Sequence, residues 1–432
     1  MKFKHLLLTA SVMALFSSCS NDELVSESTS HGDAIAFSVT TTNATRAADY
    51  WCNNQLPTYF EVSTAYNNAF YFNDEVYKAE SGKYVQADGN YRYWPDLSDT
   101  KPLNVYAYKV KADGASAIGD AFATFSWTDA TAAPTIAMTP APAAADQHDL
   151  LYAYTQVKSK PAYGATADIN FRHALSQIVF YAKCENTKVY VEIEEIALMN
   201  AATSGTFTLP TGDNTTSPNF VEHNQAGTVN PQPSTGLGTW ALTYNTANKA
   251  NRSYTASCLT SDSKLTALTP GAGVDAWTNL TDNKNETDGT HTAYKQSLLV
   301  LPQTKYTGEG ATDNSLKAYV PYTEEGGIKT YKKLSDVGGA CIAIKCKIRN
   351  IAGGSVVPED VYLWGSAGEA KDLVVPVDFT WEQGKKYIYR INFSKLGHGG
   401  YNPEDGKEVL VPIQLSVTVD DFAKVTEIDK DI

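Results

Sequence analysis

Hydrophobic and polar positions alternate in short runs along most of this chain. Tyr59-Phe60-Glu61-Val62 and Ala69-Phe70-Tyr71-Phe72 are the first clear runs beyond residue 47. Leu103 to Val110 sets Leu103, Val105 and Ala107 against Asn104, Tyr106 and Tyr108. Phe122 to Trp127 and Leu150 to Val157 follow. A period of two over so few residues is the mark of a strand with one buried face. Asp88-Gly89-Asn90 lies between Tyr84-Val85-Gln86-Ala87 and Tyr91-Arg92-Tyr93-Trp94, and its Asp-Gly step predicts a tight hairpin turn there. Ala132 to Ala145 is rich in Ala and Pro and reads as a loop. Together these runs predict one sandwich of about seven strands.

Lys160 to Ala165 reads as a linker. The next run, Asp168 to Lys183, changes phase after Leu175, and it either closes the first sandwich or opens a second. Val189, Val191 and Ile193 alternate, and Glu194-Glu195 then shifts the phase to Ile196 and Leu198, which predicts a β-bulge. Residues 211–292 are rich in Asn, Thr, Gly and Ser and read as long loops carrying short strands such as Trp240 to Thr243. Runs at Leu298 to Gln303, Leu316 to Tyr322, Ala340 to Arg349, Val361 to Trp364, Leu373 to Trp381, Tyr387 to Phe393 and Val409 to Asp420 complete a second sandwich.

The first 47 residues carry two processing signals. Lys2, Lys4 and His5 precede an apolar run, Leu6 to Phe16. That run suits a secretory signal and is too short for a bilayer, which needs about 20 residues. Ser17-Ser18-Cys19 resembles a bacterial lipobox, at which a peptidase cuts before the cysteine and the cysteine is acylated. Several acyl chains, at about 0.8 kcal/mol per buried CH2, would anchor the precursor to a membrane. Asp22 and Glu23 resemble the export signal of surface lipoproteins, and Ser26 to Asp33 reads as a polar tether. Ala34 to Val39 then forms a short alternating strand with Ile35, Phe37 and Val39 in phase, followed by Thr45-Arg46-Ala47. A cut between Arg46 and Ala47 would release that strand.

Composition agrees with an all-β chain. Tyr is abundant at 26 residues and charged residues make up 19 %. The net charge of -13 argues against nucleic acid as a partner. Of the six cysteines, Cys19 is assigned to lipid and five remain, so they cannot all pair. Cys341 and Cys346 share one run, about 16 Å apart on opposite faces, and cannot bridge each other. No CxxC, HExxH, nucleophile elbow or phosphate loop is present, and no catalytic, cofactor or metal site is expected. Asp282 to Asp288 fails as a calcium loop because Lys284 stands where a ligand is required. Glu194 and Glu195 are adjacent and read as part of the bulge, not as a catalytic pair. His173 reads as a packed residue, and His398 as part of a flexible loop.

Several features occur together in order. They are the lipobox, Ile35-x-Phe37 ahead of Thr45-Arg46-Ala47, Tyr93-Trp94-Pro95, Asp149-Leu150-Leu151 and Phe171-x-His173-Ala174-Leu175-Ser176. Leu299 to Gln303, Trp381-Glu382-Gln383-Gly384 with Tyr387-x-Tyr389-x-Ile391, and Val417-Thr418-Val419-Asp420 extend the set. In these the chain resembles the Bacteroidales fimbrillin family, the subunits of type V pili. It departs from the family at Phe422, where a Trp is usual nearby, and over 211–292.

The resemblance implies two tandem Greek-key (transthyretin-like) β-sandwich domains after a lipoprotein signal and a removable N-terminal strand. The expected division is 1–18 signal peptide, 19–46 tether and propeptide strand, 47–165 first sandwich, and 166–432 second sandwich with a donor segment. It also implies a surface lipoprotein of the outer membrane that a protease cuts at Arg46-Ala47, freeing the strand of Ile35, Phe37 and Val39. A C-terminal segment of the next subunit then fills the gap. Val417, Val419, Phe422, Val425 and Ile428 are the donor candidates, the first two shared with the last strand of the second sandwich. The partners implied are other fimbrial subunits and, for a tip subunit, a host or bacterial surface ligand. A monomeric surface lipoprotein that binds a glycan or host ligand is the other reading.

Overall fold

The structure is a computed structural model that describes residues 33–41, 57–113, 118–211, 237–245, 247–282, 296–303, 317–351, 361–394, 399–421 and 430–431. Their regular secondary structure is almost all strand, as the alternating pattern predicts. Among them are one helix, Leu334–Val337, and one 3-10 turn, Ala144–Asp146.

The first sheet closes on itself. Its strands are β1 (Phe37–Thr41), β2 (Tyr59–Tyr66), β3 (Ala69–Glu80), β4 (Lys83–Gln86), β5 (Leu103–Lys109), β10 (Leu151–Val157) and β11 (Ala167–His173). They run β1-β11-β10-β5-β2-β3-β4 and return to β1, making a seven-stranded barrel. Alternate residues point inward: Phe60 and Val62, Leu103, Val105 and Ala107, Leu151 and Ala153, Ile169 and Phe171 are all buried in one core. A small hairpin, β6 (Lys111–Asp113) and β7 (Ile118–Ala121), extends β5.

A four-stranded sheet packs on the outside of this barrel. It contains β8 (Ala123–Ser126), β9 (Thr135–Met138), β14 (Ser204–Thr208) and β15 (Thr239–Thr243), in the order β15-β14-β9-β8. Between barrel and sheet lies an aromatic core of Tyr106, Tyr108, Tyr152, Tyr154, Trp127 and Phe207. The tyrosines of β5 and β10 that alternate out of the barrel are therefore buried too.

The remaining strands form a sandwich. One layer holds β13 (Val189–Met199), β16 (Arg252–Ser257), β17 (Thr266–Leu268), β22 (Cys341–Asn350), β23 (Val361–Trp364), β24 (Lys371–Pro376) and β26 (Gly399–Tyr401). The other holds β12 (Ser176–Cys184), β18 (Thr278–Asn279), β19 (Leu298–Val300), β25 (Lys385–Phe393) and β28 (Lys430–Asp431). Strand β27 (Glu408–Asp421) belongs to both: its start pairs with β26 and its end with β25. The hairpin of β20 (Tyr322–Glu325) and β21 (Ile328–Tyr331) stands apart. Ile342, Ile344, Cys346 and Ile348 alternate into the core between the layers, opposite Phe180, Tyr389 and Ile391. Cys341 faces the other way, into a smaller cluster with Tyr319 and Leu334. Cys184, Cys258, Cys341 and Cys346 are all buried free thiols.

Several sequence expectations need adjustment. Asp168 to Lys183 splits at Ala174-Leu175, so that β11 belongs to the barrel and β12 to the sandwich. The chain therefore passes from barrel to sandwich between His173 and Ser176, not at the linker ending at residue 165, and β14 and β15 return to pair with β9. The stretch Ala132 to Ala145 is not all loop. It contains β9, whose Ile136 and Met138 are buried, and its small residues masked the alternation. The hairpin expected at Asp88-Gly89 does not pair its arms. Gly89 has φ 82°, but the hairpin of β4 lies at Ser81-Gly82, against β3. The other edge of β4 is taken by β1, so Tyr91 to Trp94 cannot pair there. The bulge at Glu194 is present, as a register shift between Ile193 and Glu195 against β22. Its two carboxylates are held in ion pairs, Glu194 with Lys345 at 2.6 Å and Glu195 with Arg252.

Candidate functional site

The first strand is the keystone of the barrel. β1 lies between β11 and β4, and without it both would be edges. It runs parallel to β11 with Phe37 opposite Ala167 and Thr41 opposite Phe171. It meets β4 antiparallel, with Phe37 opposite Tyr84. The residues just before it are bound as well. The Ile35 N–H donates to the Arg92 carbonyl at 2.7 Å, and the Ala167 N–H donates to the Ala36 carbonyl at 3.0 Å. Ala34 bridges Tyr93, and Asp33 pairs with Lys160 at 2.9 Å. The Ser38 hydroxyl donates to the Asp168 carboxylate.

The side chains of this segment are core, not surface. Ile35 is 1 % exposed and Phe37 is fully buried, while Val39 is half-buried at the outer end. The Phe37 ring meets Tyr77 edge to face at 4.9 Å, with Phe60 at 6.5 Å. Behind them Phe60 touches Tyr84 at 4.9 Å and Phe171 at 5.1 Å. Full burial of Ile35 and Phe37 is worth about 1.5–3 kcal/mol each. The slot is therefore an aromatic groove between two strands, filled by Ile35 and Phe37.

Two polar groups beside the slot are left over. The Tyr77 hydroxyl is buried without a hydrogen-bond partner among the described residues. Burial, then the neighbouring Glu75 carboxylate, push this phenol well above its ordinary value. One oxygen of Glu75 accepts from Arg92 at 2.6 Å, and the other is buried without a partner among the described residues.

Elsewhere, two of the motifs singled out in sequence converge. His173 ends β11 and bonds through Nδ1 to the Asp149 carboxylate at 2.5 Å, both residues being buried. The pair ties the start of β10 to the end of β11, next to the junction with the sandwich. This fits a structural part for His173. Asp282 is likewise internal, bonded to Lys386 at 2.7 Å and Tyr181 at 3.0 Å. No group of side chains suited to hold a metal ion occurs among the described residues. No helix there is long and apolar enough to cross a membrane.

Of the residues expected to act in processing and exchange, Ile35, Phe37 and Val39 lie together in the slot. Val417 and Val419 lie in β27, opposite Tyr389 and Tyr387 of β25, as members of the sandwich. Cys19, Arg46, Ala47, Phe422, Val425 and Ile428 lie outside the described residues. Of the wall of the slot, Phe60, Tyr84 and Phe171 stand in strand-like runs of the sequence, whereas Tyr77 stands in a strand with few buried positions and carries no such signal.

A family model described as fimbrillin-like matches residues 26–421. Among solved structures, a fimbrial protein from Bacteroides vulgatus is similar at 14% identity, covering 90% of this chain and 99% of that one, with a TM-score of 0.44. A fimbrial assembly protein from Parabacteroides distasonis is similar at 9% identity, covering 91% of this chain and 99% of that one, with a TM-score of 0.34. Comparison with curated proteins finds no match.

Proposed function

This chain belongs to the fimbrillin-like family, and from that premise we propose that it is a fimbrial subunit assembled by replacement of its first strand. Membership makes it a fimbrial, cell-surface adhesion protein that associates with other fimbrial subunits. The observation that carries the finer reading is the place of β1. It completes the barrel from one end of the chain and buries Ile35 and Phe37. The segment joining it to β2 contains Arg46-Ala47. One cut there leaves β1 held by noncovalent contacts alone. Its departure exposes an apolar groove between two strand edges, which an extended segment of another subunit can fill by β-addition.

In this reading Cys19 is acylated and anchors the precursor at the outer membrane. The cut at Arg46 then frees the mature subunit from strand and lipid together. The donor is the segment beyond β27, with Phe422, Val425 and Ile428 as its apolar residues, because Val417 and Val419 are already paired to β25. One observation favours a terminal position in the fimbria: Lys430 and Asp431 pair back onto Val417 and Ser416 of the same chain. A tip or anchor subunit would keep its C-terminus in that way in place of donating it, and a tip would present its loops to a surface ligand.

N-terminal sequencing of surface-extracted protein, beside a denaturing gel of unboiled sample, tests this. A start at Ala47 with a ladder of multimers is the expected result. A start at acylated Cys19 with monomer alone would overturn strand replacement and leave an anchored, ligand-binding lipoprotein.

A further inference from the structure

We infer that Tyr77 and Glu75 select a polar side chain on the strand that replaces β1. The inference rests on the strand-replacement reading above. The first strand fills the slot with apolar groups only, Ile35 and Phe37. Against them stands the Tyr77 hydroxyl, a donor in a residue of zero exposure, with no partner among the described residues. The second oxygen of Glu75, an acceptor, is also buried and without a partner among the described residues. Both residues belong to β3, two positions apart. Buried polar groups in folded proteins are almost always satisfied, so two such orphans beside one removable strand need an explanation.

The chemistry of the orphans is complementary. The phenol has a proton to give and an oxygen to accept with. The carboxylate accepts only. A hydroxyl or carboxamide both accepts and donates, so one Ser, Thr, Asn or Gln side chain can answer the two groups at once. Placed on the incoming strand where Ile35 or Phe37 now stands, it would make hydrogen bonds that β1 cannot. When the slot opens, water hydrates both groups; when β1 occupies it, neither is satisfied. The protein's own strand is thus a poorer occupant than a strand carrying one inward polar residue among apolar ones. That difference gives exchange a direction and gives the slot a means of rejecting purely apolar segments.

The test uses full-length protein cut after Arg46, with labelled synthetic peptides of the sequence Asp33 to Thr41. One peptide is unchanged. The others carry Ile35→Thr, Ile35→Asn or Phe37→Gln. Binding to the opened slot is measured for the natural protein and for Tyr77→Phe. At least one polar peptide should bind the natural protein about tenfold tighter than the unchanged peptide, an advantage that Tyr77→Phe abolishes. If the unchanged peptide exchanges but no polar peptide gains, or the gain survives in Tyr77→Phe, the inference is overturned and strand replacement stands. If no peptide enters the cut protein, strand replacement fails and takes the inference with it.

Discussion

Phe37 and Tyr77 meet edge to face inside the barrel, with ring centroids 4.9 Å apart and planes at 63°. One ring belongs to a segment proposed to leave, the other to the wall that stays. Phe37→Ala in the uncut protein should cost about 3–5 kcal/mol, the usual price of an emptied aromatic site. Urea unfolding measures it. A loss below about 1 kcal/mol, the level of a surface change, would show that β1 is peripheral to the barrel.

Tyr77→Phe removes a hydroxyl that has no partner among the described residues. It should raise the stability of the uncut protein by about 1 kcal/mol, since the desolvation penalty goes with the group. The same unfolding experiment reads the sign. A destabilised variant would mean the hydroxyl is satisfied in solution.

His173→Ala strands Asp149, whose other oxygen already lacks a partner among the described residues. The expected loss is about 1–3 kcal/mol, the range for leaving a buried polar group without its hydrogen-bond partner. Thermal unfolding of the variant, with His173→Gln beside it, should show partial recovery where the carboxamide restores a donor.

Glu61 supplies a pH dependence. Burial raises its carboxyl above the ordinary value, against the Lys111 ammonium 3.7 Å away and the Val110 N–H. The folded protein then holds this proton more tightly than the unfolded chain. Its contribution to stability is complete below the ordinary carboxylate value and is lost as pH rises through the folded one. Unfolding midpoints of the natural protein and Glu61→Gln, compared from about pH 4 to pH 8, should therefore diverge in the variant's favour as pH rises. Parallel curves would show no such coupling.

The buried thiols should be inert. Burial raises Cys184 to about 11, and Cys341 and Cys346 are pushed further up by the same cause. In a Cys52→Ser protein lacking the leader, Ellman's reagent should find no thiol near pH 8 until denaturant is added, and then four. Rapid reaction in the native state would contradict the packing of β22.

Much of this was legible in the sequence because strands announce themselves by period. Ile342 to Ile348 and the phase break at Glu194-Glu195 are read directly from alternation, and both stand in the structure. The leading strand was legible for the same reason, with Ile35 and Phe37 on one side. Pairing was less visible. Nothing local in Tyr91 to Trp94 says that the edge of β4 is already occupied by β1, a neighbour more than forty residues away in sequence. Strand β9 was hidden because Ala and Pro dilute its alternation. The Asp149–His173 pair joins residues 24 apart, and spacing alone does not join them. The orphan groups of Tyr77 and Glu75 were beyond reach, since a missing partner is a property of the assembled core.

Only Ala174 and Leu175 separate β11, which flanks the slot, from β12 in the sandwich. That short passage is pinned on all sides. The Trp240 indole donates to the Ala174 carbonyl at 2.8 Å, the Gly384 N–H to the Leu175 carbonyl at 2.8 Å, and the Ser176 hydroxyl to the Glu382 carbonyl at 2.7 Å. Whatever occupies the slot beside β11 thus lies on a line that continues into β12 without slack. Tension on that occupant along the strand axis would load its ladder of hydrogen bonds in shear, all rungs together, and pass into the sandwich through backbone. A fibre built of such subunits would transmit a pull from one end to the other with no hinge between barrel and sandwich to absorb it.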